Sequence, residues 1–235
     1  MNHLPLTIKS FCQRGETHRQ QHLPCQDWAA QVSEKTKGAV SLCDGAGGFA
    51  RSGASAQLAS RLIAEYLIAR FSNCLTFSPV TIQHELTLLL EKEFSDFAAF
   101  HAISTKQMAC TILAAAMDVY GNCLCLHLGD GLLLRRQKNA DTFQIISSPD
   151  NGITGNTTYL TMNCSLYRHL QFFRWKDRNT QEIYLLTDGA DTALRGGSTG
   201  DIRFPCSAEF SSIKSYLISC KIADDASIAA IARLD

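Results

Sequence analysis

Four aspartates lie where predicted strands begin or end. Asp27 and Asp224 each precede a strand, whereas Asp44 and Asp188 each follow one. They are separated by 17, 144 and 36 residues, so only the tertiary fold can bring them together. A carboxylate at the end of a core strand is costly unless it is paired or metal-bound, and no comparable set of Lys or Arg accompanies these positions. Oxygen ligands without Cys or His favour Mg²⁺ or Mn²⁺.

Asp-Gly pairs close three apolar strands, at 44–45, 130–131 and 188–189. A single Asp-Gly pair is most often ordinary turn chemistry. Because all three Asp-Gly pairs follow apolar strands, ordinary turn chemistry is a less favoured explanation for the three pairs together. Glycine lets the chain turn sharply and brings its carbonyl close to a ligand. We therefore expect these turns to face a common site.

Other familiar catalytic signatures are missing from the sequence. The glycine-rich segment 45–50 lacks the third glycine of a dinucleotide fingerprint, and no G-x-x-x-x-G-K-[ST] phosphate loop exists. The segment 84–88 begins with His-Glu but lacks the second His of a zinc-protease helix.

Composition predicts one domain over residues 1–235, because single cores rarely grow beyond roughly 250–300 residues. Hydrophobic residues make up 46% of the chain. Lys plus Arg and Asp plus Glu are equal at 22 each, so no net field attracts nucleic acid or an anionic membrane. We expect neither nucleic acid nor an anionic membrane as a partner.

The ten cysteines include no C-x-x-C pair and are expected to be reduced and buried.

The longest apolar run, at 112–117, is far too short to cross a bilayer, which needs about 20 residues. The first residues lack the basic and apolar regions of a secretory signal. These features predict a cytoplasmic protein.

Hydrophobic periodicity predicts an α+β fold. Helices are expected over 58–71, from Pro79 to 98, and over 209–220. Strands are expected at 6–13, 28–33, 38–43, 110–118, 123–128, 132–136, 142–146, 158–162, 166–175, 182–187 and 226–234. This order lacks the regular alternation of a parallel α/β fold, so we expect a pair of antiparallel sheets with helices packed outside them.

The motifs resemble those of the metal-dependent Ser/Thr protein phosphatases of type 2C, especially their compact bacterial branch. The resemblance covers nearly the whole chain, and its order and spacing are more specific than any single motif. The segments that carry it are Gly15-Glu16-Thr17-His18, Pro24-Cys25-Gln26-Asp27, Leu42-Cys43-Asp44-Gly45-Ala46-Gly47-Gly48, Gly53-Ala54, Thr111-Ile112-Leu113, His127-Leu128-Gly129-Asp130-Gly131, Gly152, Asn156-Thr157-Thr158, Leu160-Thr161, Leu186-Thr187-Asp188-Gly189 and Asp224-Asp225-Ala226-Ser227.

The resemblance implies an αββα four-layer sandwich with a binuclear metal site between its sheets. Asp44 would bridge both ions, and Asp27 and the Gly45 carbonyl would serve one of them. Asp188 and Asp224 would serve the other. Asp130 would lie nearby and could join Asp188 at a weaker third ion.

The implied reaction is hydrolysis of phosphoserine and phosphothreonine. A phosphomonoester dianion repels an anionic nucleophile. Two cations about 3.5–4 Å apart neutralise the phosphoryl oxygens and lower the pKa of a bridging water towards neutrality. The hydroxide then attacks phosphorus in line, without a covalent intermediate. Mutual repulsion should make the metal-free carboxylate site unstable.

Two positions depart from the family pattern. Many relatives carry an Arg about five residues before the first aspartate to bind phosphate, where this chain has His22. Some carry a His two residues after the bridging aspartate as general acid, where this chain has Ala46. His18 and Arg19 are the candidate replacements, His18 for catalysis and phosphate contact and Arg19 for phosphate contact. Residues of a polar loop at such positions are more often simply solvated.

The leading hypothesis is a Mn²⁺- or Mg²⁺-dependent protein-serine/threonine phosphatase acting in signalling. Its partners would be phosphorylated proteins, with an opposing Ser/Thr kinase, and a monomer is the expected state. One alternative is a phosphatase-fold regulatory or binding protein with little turnover. Another is a hydrolase of small phosphate esters.

Overall fold

A computed structural model describes residues 6–140, 142–151, 158–162, 165–195 and 209–234. These residues form ten strands. The strands are β1 (Leu6–Gln13), β2 (Trp28–Ser33), β3 (Lys37–Cys43), β4 (Ile112–Asp118), β5 (Asn122–Leu128), β6 (Leu132–Gln137), β7 (Phe143–Ser147), β8 (Gln171–Lys176), β9 (Thr180–Leu186) and β10 (Ala226–Arg233).

The strands form two antiparallel sheets of five strands each. One sheet has the order β1-β10-β9-β6-β7, and the other has the order β2-β3-β4-β5-β8. The chain changes sheet several times, so β3 and β9, which lead into Asp44 and Asp188, lie in different sheets. Residues far apart in sequence therefore reach the same end of the sandwich.

Helices cover the outer faces of the two sheets. They are α1 (Glu16–Gln20), α2 (Ser52–Ala69), α3 (Phe71–Thr76), α4 (Pro79–Phe100), α5 (Ser165–His169), α6 (Asp188–Leu194) and α7 (Phe210–Ser219). The start of α4 is marked by Ser78, whose hydroxyl accepts a hydrogen bond from the Thr81 amide at 3.1 Å, and by Pro79 in the first turn.

Three hydrophobic layers separate these elements. The layer between the sheets includes Val40 and Leu113 from one sheet and Leu185 and Ile231 from the other. A second layer lies between α2, α4 and the sheet that contains β4. A third lies between α6, α7 and the sheet that contains β9. Strand β4 is apolar on both faces because it is buried from both sides. The αββα architecture predicted from the sequence is confirmed.

Several local predictions were wrong. Residues 158–162 do not form a strand, although they lie against the sheet through the Thr161 amide, which donates to the Cys110 carbonyl at 3.0 Å. The predicted strand 166–175 is divided into helix α5 and strand β8. Helices α1 and α6 are too short to show a clear apolar period, and neither was predicted. Gly152, Asn156 and Thr157, which belong to the quoted motifs, lie outside the described residues.

The eight cysteines in the described part of the chain are free thiols, and five of them are buried. Burial raises the pKa of the Cys123 thiol to about 11, so it stays a neutral core side chain. No helix within the described ranges is both long and apolar enough to cross a membrane.

Candidate metal centre

Asp44 leaves strand β3 at the end of the sandwich. Its amide donates a hydrogen bond to Thr111 Oγ1 at 3.1 Å, and the Thr111 amide donates to the Asp44 carbonyl at 2.8 Å. These two bonds hold the backbone of Asp44 against the start of β4. The carboxylate is therefore carried by a rigid position rather than by a mobile turn.

Three carboxylates converge beside this position. Asp44, Asp130 and Asp188 each place one carboxylate oxygen within 4.8 Å of the others. Asp130 follows β5, which belongs to the same sheet as β3, whereas Asp188 follows β9 of the other sheet and begins helix α6. The cluster therefore lies between the sheets, and all three of its members were predicted from the sequence.

Asp27 and Asp224 lie beside this cluster. Asp27 is only 2% exposed, and its Oδ2 accepts a hydrogen bond from Thr187 Oγ1 at 3.3 Å. Its Oδ1 is buried without a hydrogen-bonding partner. Asp224 is exposed, and its Oδ1 accepts a hydrogen bond from the Asp225 amide at 2.8 Å. The five predicted carboxylates thus lie at one end of the sandwich. Asp130, which the resemblance placed only near the metal ligands, is a member of the three-carboxylate cluster.

The pKa values of three of these aspartates, Asp27, Asp44 and Asp188, are raised. Burial is the main cause of the rise in the pKa of Asp27 to about 7 and of Asp188 to about 6, and neighbouring carboxylates add to both. Burial and the charges of Asp27 and Asp188 hold the pKa of Asp44 well above its usual range. The charge of Asp224 acts in the same direction on Asp44 and Asp188.

No positive side chain within the described ranges compensates this charge, because none of the five aspartates forms an ion pair with Lys or Arg. The unpartnered Asp27 oxygen also lacks the hydrogen bond that a buried carboxylate needs. Oxygen donors of high charge density suit a hard divalent cation. The residues present therefore fit the metal ions that the sequence predicted.

Close packing explains two of the glycines at the site. A Cβ on Gly45 would come within 2.7 Å of the Ser52 backbone, and a Cβ on Gly189 would come within 2.1 Å of the Asp225 carbonyl oxygen. Neither glycine has a left-handed backbone. From the sequence, both glycines were expected to allow sharp turns. The structure shows instead that they are needed because another backbone segment passes directly against them.

Asp225, which follows the predicted ligand Asp224 in the chain, is a central support of the site. Its carboxylate is buried and accepts hydrogen bonds from the amides of Gly15 at 2.7 Å and Gln26 at 2.6 Å. These bonds close the loop that leads into Asp27. The neighbouring Asp224-Asp225 pair was a visible signal, but nothing in the sequence assigns the two aspartates different roles.

The predicted phosphate contacts lie on α1. His18 is mostly buried, and its Nδ1 is 2.9 Å from Asp225 Oδ2. The side chain of Arg19 is half exposed and lies 3.7 Å from Glu16 Oε2. His22, at the position of the family's usual Arg, is exposed and has a φ of 58°. None of these side chains is part of the three-carboxylate cluster.

Thr158 is a further contact of the cluster. Its hydroxyl donates a 2.5 Å hydrogen bond to Asp130 Oδ2. The segment that follows the β6–β7 meander therefore touches the acidic site directly. Thr158 belonged to a motif noted in the sequence, but its contact with Asp130 depends on how that segment folds back.

The fold and the acidic site together define a metal-dependent phosphatase, and comparison with known proteins agrees. Residues 14–216 match the sequence family described as protein phosphatase 2C. The chain therefore belongs to the protein phosphatase 2C family, and it is a metal-dependent protein-serine/threonine phosphatase. It matches no curated protein sequence.

Solved structures share the fold at low sequence identity. The serine/threonine phosphatase Stp1 from Staphylococcus aureus is 15% identical, with a TM-score of 0.67 over 98% of this chain and 96% of that chain. PppA, a regulatory component of T6SS in Pseudomonas aeruginosa, is 15% identical, with a TM-score of 0.62 over 97% and 98%. RsbX, solved in complex with magnesium, is 9% identical, with a TM-score of 0.56 over 97% and 96%.

Proposed function

We propose that residues 1–235 form one catalytic domain that removes phosphate from phosphoserine and phosphothreonine with two Mn²⁺ or Mg²⁺ ions. The proposed ligands are Asp44 to both ions, Asp27 and the Gly45 carbonyl to one, and Asp188 and Asp224 to the other. Asp130 is proposed for a weaker third ion. The observation that carries this proposal is the convergence of three carboxylates from two sheets without a compensating cation.

The bound ions would neutralise the phosphoryl oxygens and lower the pKa of a water molecule towards neutrality. The chain's own contribution is to hold five carboxylates on rigid strand ends. Thr111 fixes Asp44, Thr187 orients Asp27, and Asp225 closes the loop before Asp27. Since the pKa values of Asp27 and Asp188 are about 7 and 6, we expect metal binding near neutral pH to release protons.

His18 is the proposed contact to the substrate phosphate, with Arg19 as a second one. Asp225 faces Nδ1 of His18, which favours the proton on that nitrogen and orients the ring. Within the described residues Nε2 has no hydrogen-bonding partner, so it is available to a phosphate or to the leaving oxygen. This arrangement would supply part of what His22 and Ala46 do not provide.

We further propose that the protein acts in cytoplasmic signalling as a monomer, opposite a Ser/Thr kinase. The balanced charge of the chain supports a protein substrate rather than nucleic acid or an anionic membrane.

The test compares hydrolysis of p-nitrophenyl phosphate and of a phosphothreonine peptide in Mn²⁺, Mg²⁺ or EDTA. We expect Asp44→Ala and Asp188→Ala to lose at least 100-fold in kcat, on the order of 3 kcal/mol of transition-state stabilisation. The matched control is Asp96→Ala, which removes an exposed carboxylate on α4. Turnover that persists in EDTA or in either site variant would refute the assignment. Metal binding without turnover would favour a regulatory protein, and much faster cleavage of the small ester would favour a hydrolase of small phosphate esters.

A further inference from the structure

Asp130 lies in a short crossover between the two sheets. Strand β5 ends at Leu128 in one sheet, and β6 begins at Leu132 in the other. An extended chain covers about 13 Å between these two residues, at about 3.3 Å per residue, and stacked sheets lie about 10 Å apart. A connection this short has little slack. The position of Asp130 therefore depends on the separation of the two sheets at this end of the sandwich.

The crossover packs against the residue that holds Asp44. Gly129 has a φ of 114°, in the left-handed region that favours glycine, and a Cβ on it would come within 2.6 Å of Thr111 Cγ2. Thr111 Oγ1 also accepts the hydrogen bond of the Asp44 amide. Asp44 and Asp130 each place a carboxylate oxygen within 4.8 Å of the other. A movement of the crossover relative to Thr111 would therefore change the distance between these two carboxylates.

A buried histidine links the two sheets beside this crossover. His127 lies on β5, and its Nδ1 is 2.6 Å from Oγ of Ser147, the last residue of β7 in the other sheet. Ser147 pairs with Leu133 of β6. The chain from His127 to Leu133, the strand pairing to Ser147 and the hydrogen bond back to His127 thus form a closed ring. Asp130 lies within the chain segment of this ring.

The direction of this hydrogen bond follows from a third side chain. Ser147 Oγ donates its one proton to Gln171 Oε1 at 3.2 Å, so it accepts from Nδ1 of His127. Burial is the main cause that lowers the pKa of His127 to about 4, so the ring is neutral at neutral pH and Nε2 carries no proton. Nε2 is buried without a hydrogen-bonding partner among the described residues. Within that part of the chain, the orientation of the ring therefore depends on its hydrogen bond to Ser147.

Packing alone does not require a polar pair at this position. The layer between the sheets contains a cluster of apolar side chains that includes Leu113 and Leu185. Replacing both partners of a buried hydrogen bond by apolar groups of the same shape can be nearly neutral for stability. Apolar contact is non-directional, whereas a hydrogen bond fixes the distance and direction between two atoms. The bond between His127 and Ser147 is therefore suited to setting the separation of the sheets.

We propose that His127 is a positioning residue for Asp130. Its hydrogen bond to Ser147 sets the separation of the sheets at the crossover, and this separation sets the affinity of the metal ion that Asp130 binds. The proposal rests on the proposed metal site and adds to it a residue that contacts neither the ion nor the substrate.

The test compares two substitutions of His127. His127→Asn keeps an N–H donor on the atom bonded to Cγ, as Nδ1 is, whereas His127→Gln moves the donor one bond further out. Mn²⁺ titration followed by electron paramagnetic resonance measures binding without turnover. We expect His127→Gln and Ser147→Ala to weaken the weakest Mn²⁺ site about tenfold, at the lower end of the effect of residues that support a metal site. His127→Asn should stay within twofold of wild type, and kcat at saturating Mn²⁺ should change little in all three variants.

Two controls separate positioning from a merely structural role. Ser60→Ala removes another buried hydroxyl, which donates to the Gln57 carbonyl within α2, and should leave Mn²⁺ affinity unchanged. His127→Leu combined with Ser147→Ala removes both partners, so it should melt close to wild type and still bind Mn²⁺ as weakly as Ser147→Ala. A structural role alone would lower Tm and leave the Mn²⁺ affinity of the folded protein unchanged, which would overturn the proposal.

Hydrogen exchange in EDTA-treated protein tests the positioning apart from the metal site. We expect the amides of residues 128–132 to exchange about tenfold faster in Ser147→Ala and His127→Gln than in wild type, since loss of one buried hydrogen bond changes an equilibrium by about this factor. Faster exchange in a protein that binds no Mn²⁺ in any form would support the positioning and reject the metal site. Unchanged exchange in both variants, or faster exchange with wild-type Mn²⁺ affinity, would overturn the proposal.

Discussion

The raised pKa values at the candidate metal centre predict how the metal-free protein responds to pH. In the unfolded chain an aspartate titrates near 3.9, whereas in the folded protein Asp27 titrates near 7 and Asp188 near 6. Between these values the folded state binds more protons than the unfolded state. Stability of the metal-free protein is therefore full below about pH 4, falls as pH rises from there, and has lost this contribution once pH has passed about 7.

The size of this loss follows from the linkage relation. One pKa unit corresponds to about 1.4 kcal/mol. From pH 5 to pH 8, Asp27 would contribute about 3 kcal/mol and Asp188 about 1.5 kcal/mol if each acted alone. A proton on one carboxylate also relieves its neighbours, so we expect a total of a few kcal/mol. For a chain of this length, this corresponds to a fall in Tm on the order of 10 °C.

Thermal unfolding of EDTA-treated protein from pH 5 to pH 8 measures this fall. Asp27→Asn removes one of the charges whose pKa is raised by burial, so its metal-free form should be more stable than wild type at pH 8 and should depend less on pH. The same variant should gain less stability from Mn²⁺. Asp96→Asn, which changes an exposed aspartate, should follow wild type. The reasoning fails if stripped wild type is as stable at pH 8 as at pH 5, or if Asp27→Asn shows the same slope.

Three further predictions concern residues that support the site. Asp225→Asn should lower kcat/KM and metal affinity by about 10–100-fold, measured by kinetics and by metal titration, because supports of a metal site typically contribute this much; wild-type values would contradict it. Gly189→Ala should lower Tm strongly, since its Cβ would meet the Asp225 carbonyl oxygen, whereas Gly47→Ala, with open space around it, should not. Thr158→Val should weaken the binding of metal through Asp130, so a higher Mn²⁺ concentration should be needed for half-maximal activity. An unchanged Mn²⁺ concentration for half-maximal activity would exclude that role.

Elements with a long periodic pattern were predictable from the sequence. Helix α4 shows a clear apolar stripe and a capped start, and β10 is a continuous apolar run between charged or polar residues. The segment 166–175 was not predictable in the same way. Its apolar residues suit either a strand or a short helix, and the chain forms α5 and β8 because each packs against a different neighbour.

The candidate site shows the same division. Asp27, Asp44, Asp130, Asp188 and Asp224 could be selected because a carboxylate at the end of an apolar strand is unusual and costly. The supporting contacts could not be selected. Thr187 beside Asp27 and Thr158 beside Asp130 are common residue types, and their roles depend on distances that only the packed sheets set.

By itself, the sequence determined which residues were candidate metal ligands, because charge and hydrophobic periodicity are local properties of the chain. The tertiary structure decided which carboxylates meet and that Asp225 supports the loop before Asp27. The physical reason is that burial and repulsion between carboxylates act over distances of a few ångströms. Such distances join residues more than a hundred positions apart, and only the pairing of the strands and the stacking of the two sheets establish them.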